Sequence, residues 1–514
     1  MVSDHARLGH HVAGTARRTW GARVLRILYV DIDTLRPDHL RCAGYHRNTT
    51  PAIDALAADG IRFTNVYASD VPCLPSRTAL ATGMFGIRNG VANHGGAAAE
   101  PAPAGARRGF FGDSTTGSFP SALLRAGYHT ASISSFPLRH GAHWWTAGFV
   151  EAMNLVRGFG LERADEVLPG ALDWLDRRGR DDEWFLHVHL WDPHTPYNAP
   201  EDYGNPFADD PPPAWHSEGV RARNWDLPGP HSAQEPWGFK PDEWGTPPPR
   251  QPWNLATAED VKAIFDGYDV GVRYADDAVG TLCSKLDDLG VFDETAILVS
   301  SDHGEAFGEL GVYADHMASD EATAHIPAVL RWPGVPSGVQ TGLAYHLDVA
   351  ATVVDLAGGR VPSHWDGRSW RGPLEAGSVA GGRDHLVLSQ GAWTCQRGVR
   401  TGDHLYLRTL HDGYHAAWPD EMLFDVVADP HEQHDLLDAE PAVASAARTT
   451  LDEWTAEQLD RSRAAQDPMQ TILDEGGPFH IRGHLPAYLD RLRATGREHW
   501  VDELVARHPG DAAG

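Results

Sequence analysis

Short apolar runs bounded by polar turn residues recur through the N-terminal part of the chain and alternate with segments of helical apolar spacing. Such runs are typical of buried strands, and Thr50 followed by Pro51 is typical of a helix start. The pattern predicts strands at 24–31, 61–67, 129–134, 184–190 and 295–300, and helices from residue 51 and at 76–82, 119–126, 171–178 and 260–289.

The pattern changes near residue 377, where short strand-like segments follow one another with tight turns between them. They are followed by one amphipathic helix at 442–459. The predicted strands of this part lie at 385–389, 398–401, 404–407 and 422–425. The expected fold class is therefore α/β: a large, mainly parallel mixed sheet sandwiched by helices, with a smaller C-terminal α+β domain built from an antiparallel sheet and a helix.

The chain length of 514 residues exceeds what one hydrophobic core usually holds. We expect a flexible extension at 1–22, a catalytic α/β domain at 23–376 and a C-terminal subdomain with a helical tail at 377–514. Residues 1–22 carry no apolar run long enough for a signal peptide or a membrane span, so a cytoplasmic location without membrane attachment is expected.

One stretch, residues 204–253, interrupts the alternation of strands and helices. It is rich in Pro and is expected to be a long loop without regular structure, of the kind that is usually functional or disordered. Its indole side chains argue against disorder. These indoles either pack the loop onto the protein or form a lid whose aromatic faces stack on a sugar. The residues are Trp215, Trp225, Trp237, Trp244 and Trp253.

The composition is that of a globular protein, with 42% hydrophobic and 22% charged residues. The formal net charge of −28 disfavours binding to nucleic acid or anionic membranes. The four cysteines form no CxxC pair, so a disulfide scaffold is not expected; they are Cys42, Cys73, Cys283 and Cys395.

Two predicted strands end in residues that could bind a metal ion. Asp31 and Asp33 lie at the end of the first strand, and Asp302 and His303 follow the strand at 295–300. Ligands of open α/β sheets bind outside the carboxyl ends of the strands. A cap or turn carboxylate is the alternative for each aspartate taken alone.

The run Cys73-Leu74-Pro75-Ser76-Arg77, followed by Thr-Ala-Leu-Ala-Thr-Gly, resembles the cysteine motif of type I sulfatases in the alkaline phosphatase superfamily. In that family a formylglycine-generating enzyme oxidises the cysteine to formylglycine, and the hydrated aldehyde is the nucleophile. The resemblance implies that Cys73 is the formylglycine precursor, that the modified residue also binds the metal, and that Arg77 holds the hydrated aldehyde.

The same resemblance implies one divalent metal ion. Asp33 aligns with the first aspartate ligand of the family and Thr34 with the second, so that Thr34 or the nearby Asp31 takes the second place. Asp302 and His303 align with the later metal pair. The resemblance implies Ca²⁺, which most sulfatases bind, whereas an imidazole ligand suits Mn²⁺ or Zn²⁺ better.

Two histidines match family positions that touch the sulfate or protonate the leaving oxygen. His194 lies in Asp-Pro-His-Thr-Pro-Tyr, and His316 falls where many sulfatases have a sulfate-binding lysine. A second basic cluster, Gly-Lys-Trp-His in many sulfatases, is absent. Ser135 stands at its lysine position, and Arg139 or His140 is expected to restore the charge. All three residues are expected to contact the substrate.

The predicted function is hydrolysis of a sulfate ester of a sugar, a small alcohol or a phenol. Because the acidic field of the chain repels sulfate, a small or singly sulfated substrate is favoured over a heavily sulfated polymer. Thr34 and His303 favour an alternative, hydrolysis of phosphonate monoesters or phosphodiesters. A non-catalytic, carbohydrate-binding relative of the sulfatases is a third interpretation, which the intact run from Cys73 to Arg77 opposes.

Overall fold

A computed structural model of the chain describes residues 26–102, 117–154, 160–239, 249–376, 382–462 and 466–512. The predicted extension at 1–22 lies outside these residues. The expected fold class is confirmed: a large, mainly parallel sheet and a smaller antiparallel sheet are both present.

The strands coincide closely with the apolar runs. Their bounds are Arg26–Ile32 (β1), Ile61–Tyr67 (β2), Asp70–Val71 (β3), His129–Ile133 (β4), Glu151–Met153 (β5), Trp184–Leu190 (β6), Thr295–Ser300 (β7), Ala306–Phe307 (β8), Tyr313–Asp315 (β9), His325–Arg331 (β10), Gly338–Gln340 (β11), Ala344–Tyr345 (β12), His385–Gln390 (β13), Cys395–Thr401 (β14), His404–His411 (β15) and Glu421–Asp425 (β16).

The α-helices begin and end near the predicted positions where apolar residues recur at helical spacing over a long segment. Their bounds are Pro51–Asp59 (α1), Cys73–Thr82 (α2), Gly86–Asn89 (α3), Phe119–Arg125 (α4), Phe136–Arg139 (α5), Ala164–Arg178 (α6), Glu218–Trp225 (α7), Ala258–Asp288 (α8), Glu321–Ala324 (α9), His346–Leu356 (α10), Arg371–Glu375 (α11), Pro441–Arg461 (α12), Pro468–Asp474 (α13), Leu485–Ala494 (α14), Val501–Arg507 (α15) and Pro509–Ala512 (α16).

The larger sheet has the strand order β11-β2-β10-β7-β1-β6-β4-β5 in the described part of the chain, with β12 beside β2. Strand β1 lies parallel to both β6 and β7, whereas β10 is antiparallel to its neighbours. Side chains of β1 alternate between two cores, with Ile27 and Tyr29 in one and Leu28 and Val30 in the other. The sheet is therefore buried on both faces, as its continuous apolar runs predict.

The smaller sheet has the order β16-β15-β14-β13-β3. Its strands β13 to β16 are antiparallel, and β3 joins the edge in parallel through Ser389 opposite Asp70. Strand β3 leads directly into α2, which begins at Cys73. One hydrophobic core contains residues of both sheets, and the domain boundary near residue 377 stays a prediction.

The expectation that 204–253 lacks regular structure is wrong for α7. The hydroxyl of Ser217 caps this helix by accepting the N–H of Val220. The sequence did not reveal it because only Val220 and Asn224 are buried, which leaves no continuous apolar stripe. Packing accounts for Trp215, whose ring stacks on His431 with 3.9 Å between ring centroids.

Trp244 lies outside the described residues. Among the helices within the described ranges, none combines the length and the apolar composition that crossing a membrane requires.

The helix that carries Cys73 ends at Thr82 and is capped by Gly83, whose φ of 67° is left-handed. A Cβ at this position would lie 2.1 Å from the Trp365 ring, so the indole closes over the end of the helix only if the residue is glycine.

We expect Gly83→Ala to lower the free energy of unfolding by about 1–3 kcal/mol more than Gly290→Ala, because overpacking adds to the backbone strain. Gly290 is the matched control, since its φ of 71° is similar and nothing lies within 4 Å of its added Cβ. Urea unfolding of both variants measures the difference. Equal destabilisation by the two substitutions would contradict the packing of Trp365.

Candidate active site

The candidate active site lies at the carboxyl ends of three adjacent strands. Asp33 follows β1, Asp302 follows β7 and His194 follows β6. Cys73 is the first residue of α2 and faces them. The parallel arrangement of β1, β6 and β7 therefore brings together residues that are far apart in the sequence.

A buried guanidinium, that of Arg77, lies at the centre of the site. Its Nη1 donates to Asp33 Oδ2 at 2.9 Å and to Asp302 Oδ2 at 2.5 Å. Its Nε and Nη2 donate to the two carboxylate oxygens of Asp31, at 2.8 and 3.1 Å. Every polar contact of Arg77 found among the described residues goes to these carboxylates or to His189.

The electrostatics of the carboxylates differ. Burial favours the neutral form of Asp33, yet Arg77 and the neighbouring histidines hold its pKa well below the usual range. Burial raises the pKa of Asp302 to about 7, and Asp33 adds to this rise against the attraction of Arg77. One guanidinium thus faces three carboxylates, Asp31 included, and leaves a deficit of positive charge that a divalent cation would compensate.

Four side chains could hold that cation. Ligand atoms of Asp33, Cys73, Asp302 and His303 all lie within 4.8 Å of one another. Asp33 Oδ1 is buried and has no hydrogen-bond partner. His303 Nδ1 donates to the carbonyl oxygen of Gly304 at 2.9 Å, which leaves Nε2 for the site, 3.1 Å from Cys73 Sγ. The donor set therefore fits a divalent metal ion, and its oriented imidazole suits Mn²⁺ or Zn²⁺.

The two residues considered for the second aspartate position occupy different places. Both oxygens of Asp31 bind Arg77, and Oδ2 lies 3.4 Å from His187 Nε2, so Asp31 serves as a support behind the ligand group. Thr34 adopts a left-handed φ of 55°, and its backbone N–H donates to Asp302 Oδ1. Its buried hydroxyl lacks a partner and stays a candidate ligand.

His194 and His316 converge on Cys73. Their ligand atoms and Cys73 Sγ lie within 4.8 Å of one another. His194 Nδ1 donates to the carbonyl oxygen of Thr195, which leaves Nε2 for the site. Burial lowers the pKa of His194 to about 4 and that of His316 well below its usual value, so both rings are neutral at pH 7 in the free protein.

The three residues expected beside the substrate separate in the structure. The hydroxyl of Ser135 donates to Glu162 at 2.7 Å and accepts from the Trp191 indole at 2.8 Å, which makes it a structural residue. Arg139 lines the cavity beside His194. The ring of His140 lies 4.8 Å from that of His94, and its Nε2 is buried without a partner.

A cavity of about 330 Å³ opens beside His194. Its walls come from segments that are distant in the sequence: the strand ends, the loop at 204–253 and the C-terminal part. The lining residues that the sequence did not reveal are His231, Phe239, Asp315, Trp393, His480 and His484. Signals existed for two of them, since Asp315 directly precedes His316 and His480 follows the turn-forming Gly-Gly-Pro-Phe segment.

Comparisons with known proteins agree with this geometry. The sequence model of the sulfatase family matches residues 26–359. An N-acetylglucosamine-6-O-sulfatase of Bacteroides thetaiotaomicron is 24% identical, over 88% of this chain and 89% of that protein. The fold resembles that of a protein solved in complex with D-glucosamine-2-N,6-O-disulfate, with a TM-score of 0.67, 21% identity and coverage of 87% and 99% of the two chains.

A phosphonate monoester hydrolase of Agrobacterium radiobacter has a similar fold, with a TM-score of 0.65, 22% identity and coverage of 85% and 96%. The family match spans more than half of the chain and includes Asp33, Cys73, Arg77, His194, Asp302, His303 and His316. The chain belongs to the sulfatase family of the alkaline phosphatase superfamily, and it is a sulfuric ester hydrolase.

Asp192, two residues before His194, is a buried carboxyl whose Oδ1 accepts the N–H of Ala164 and whose Oδ2 has no partner. Burial raises its pKa to about 7, above the value of about 4 expected in the unfolded chain. Folding therefore favours the protonated form. The stability that this proton contributes is complete below pH ~4 and is lost as the pH rises towards 7.

We expect Asp192→Asn to match the wild type in stability at pH 4 and to exceed it at pH 8, by at most roughly 4 kcal/mol, because the amide cannot ionise. Chemical unfolding of both proteins at the two pH values tests this. An equal pH dependence of the two proteins would show that folding leaves the pKa of Asp192 at its unfolded value, which would contradict the raised pKa.

Proposed function

We propose that this enzyme hydrolyses the sulfate ester of a sugar or another small alcohol by means of a formylglycine made from Cys73. One observation carries the proposal: Cys73 Sγ lies within the same group of ligand atoms as Asp33, Asp302 and His303, and next to His194 and His316. The nucleophile position, the cation position and two imidazoles thus share one buried site.

The environment of Cys73 supports the need for modification. Burial raises the pKa of the thiol well above its ordinary value, and Asp33 and Asp302 add to the effect. The thiolate is the nucleophilic form of cysteine, so the unmodified residue would be inert here. A formylglycine hydrate supplies one hydroxyl as the nucleophile and a second hydroxyl whose collapse to the aldehyde releases sulfate.

Asp33, Asp302 and His303 would hold the divalent ion, with the Cys73-derived residue as a further ligand and Thr34 as a candidate. When bound, the ion lowers the pKa of a hydroxyl and stabilises negative charge on the sulfate. Arg77 keeps Asp33 ionised and fixes the orientation of Asp302. Its predicted contact with the hydrated aldehyde remains part of this proposal.

His194 and His316 would bind the sulfate and protonate the leaving oxygen. Both rings are neutral in the free protein, and the charge of an approaching sulfate raises the pKa of a nearby imidazole. His194 Nε2 is the nitrogen left for the leaving alcohol oxygen, because Nδ1 is held by Thr195. His316 is oriented by Glu305, whose Oε2 lies 3.2 Å from Nδ1.

The cavity supports a small saccharide as the substrate. Its volume of about 330 Å³ lies at the lower end of the range for ligand pockets, roughly 300–1,000 Å³. Trp237, Phe239 and Trp393 supply aromatic walls on which a sugar ring could stack, and Arg139 supplies a cation near the sulfate. The acidic chain and this small cavity favour one sulfated sugar unit over an extended polymer, in keeping with the relative named for N-acetylglucosamine 6-O-sulfate.

Hydrolysis of phosphonate monoesters or phosphodiesters is the second candidate. The orientation of His303 towards the cation position favours it, because an imidazole shifts the metal preference from Ca²⁺ to Mn²⁺ or Zn²⁺. Initial rates on an aryl sulfate and a matched aryl phosphodiester separate the two reactions.

The protein co-expressed with a formylglycine-generating enzyme should lose mass at the peptide containing Cys73, by the amount that replaces a thiol with an aldehyde oxygen. It should hydrolyse an aryl sulfate and members of a panel of sulfated monosaccharides. Mass spectrometry and sulfate release measure both outcomes.

Cys73→Ala removes the nucleophile and is expected to abolish turnover, whereas Cys395→Ala is the matched control at another buried free cysteine. Full sulfate release by Cys73→Ala, or by fully unmodified protein, would overturn the assignment of the nucleophile.

A further inference from the structure

A second group of potential ligands lies in the C-terminal part and shares no residue with the groups around Cys73. Nitrogen atoms of His411 and His508 and a carboxylate oxygen of Asp511 lie within 4.8 Å of one another. His411 ends β15, while His508 precedes α16 and Asp511 lies in it. Two segments separated by nearly a hundred residues therefore meet at these three side chains.

The surroundings orient His508 and Asp511 as they would orient metal ligands. Asp412 Oδ1 accepts the Nε2–H of His508 at 2.7 Å, which fixes the tautomer and leaves Nδ1 as the free lone pair. This is the carboxylate–histidine arrangement typical of ligating imidazoles. Tyr414 Oη lies 3.0 Å from Asp511 Oδ2 and 3.0 Å from the carbonyl oxygen of Ile481, so its one hydrogen is shared between these two acceptors and the carboxylate is supported as well.

The two imidazoles face each other, with 4.5 Å between their ring centroids. The N–H of Gly413 lies 3.1 Å from His411 Nδ1. Binding of a cation at Nε2 of His411 would move the ring proton to Nδ1 and break the hydrogen bond from Gly413. The loss of this hydrogen bond lowers the net affinity for the cation.

The donor set selects the class of ion. Two nitrogen donors and one oxygen donor suit Zn²⁺, Co²⁺ and Ni²⁺, whereas Ca²⁺ and Mg²⁺ take oxygen ligands. We propose that His411, His508 and Asp511 bind one divalent transition-metal ion, for which Zn²⁺ suits the ligands best. This ion would link the C-terminal helices to β15. The three protein ligands leave a fourth position for water.

The proposed metal site lies beside residues that support one wall of the cavity. Tyr414 belongs to the hydrophobic cluster formed with Leu485 and Tyr488 of α14. Phe239 contacts Tyr414 at 6.0 Å between ring centroids and stacks on His484 at 4.7 Å. Phe239 and His484 both line the cavity beside the active site, so the ion would stabilise the part of the chain that supports this wall.

The test uses the full chain carrying Asp302→Asn, which weakens the catalytic cation site. Titration with Co²⁺, followed by its visible absorption and by calorimetry, should show one site with nitrogen coordination. Adding His411→Gln or Asp511→Asn should remove this site. Asp412→Asn should weaken it by about 10- to 100-fold, because the orientation of His508 is lost.

His499→Gln is the matched control, since His499 pairs with Asp226 close to α15 and is half exposed. It should bind Co²⁺ as tightly as the Asp302→Asn parent. Circular dichroism checks that each variant is folded, and Zn²⁺ should raise the melting temperature of the parent and of His499→Gln but not of Asp511→Asn.

Equal Co²⁺ affinity of the parent, His411→Gln and Asp511→Asn would overturn the proposal. So would the absence of Co²⁺ binding to the folded parent, which would show that the cluster is held by its hydrogen bonds alone. Neither result depends on Cys73 or on turnover, so the outcome is separate from that for the proposed catalytic function.

Discussion

The burial of one guanidinium among three carboxylates is the constraint on which the active site depends. Arg77 is fully buried, and it bridges Asp31, Asp33 and Asp302. A buried guanidinium is stable only when carboxylates pair with it, and here three carboxylates pair with one guanidinium. The site is therefore held rigid by Arg77 and at the same time remains short of positive charge. Both properties follow from the same contacts, and both suit a centre that binds a divalent ion and an anionic sulfate ester.

The topology produces these contacts. Parallel strands β1, β6 and β7 end at one edge of the large sheet, which brings two aspartates and a histidine together. Strand β3 pairs with β13 of the small sheet and leads into α2, so Cys73 and Arg77 reach the same point from the other direction. The junction of the two sheets thus sets the position of Cys73, the proposed nucleophile precursor, relative to the proposed cation ligands.

The sequence predicted the large sheet and the cluster around Cys73 because apolar runs and short motifs are local signals. It left open whether Thr34 or Asp31 takes the second ligand position beside Asp33, because only the folded chain shows that both oxygens of Asp31 bind Arg77 while Asp33 Oδ1 has no partner. Ser135 was expected near the substrate, but its contacts with Glu162 and Trp191 depend on tertiary structure. The sequence named Arg139, His194 and Trp237, but the other cavity walls were missed for the same reason, because residues of three distant segments form them.

A crystal structure of the formylglycine-containing enzyme loaded with Mn²⁺, with anomalous scattering recorded for the metal, tests the central claim most directly. The account predicts an anomalous peak bounded by Asp33, Asp302, His303 and the residue derived from Cys73, with Arg77 still bound to both oxygens of Asp31. A metal ion coordinated by Asp31, or the absence of any metal peak among these ligands, would contradict it.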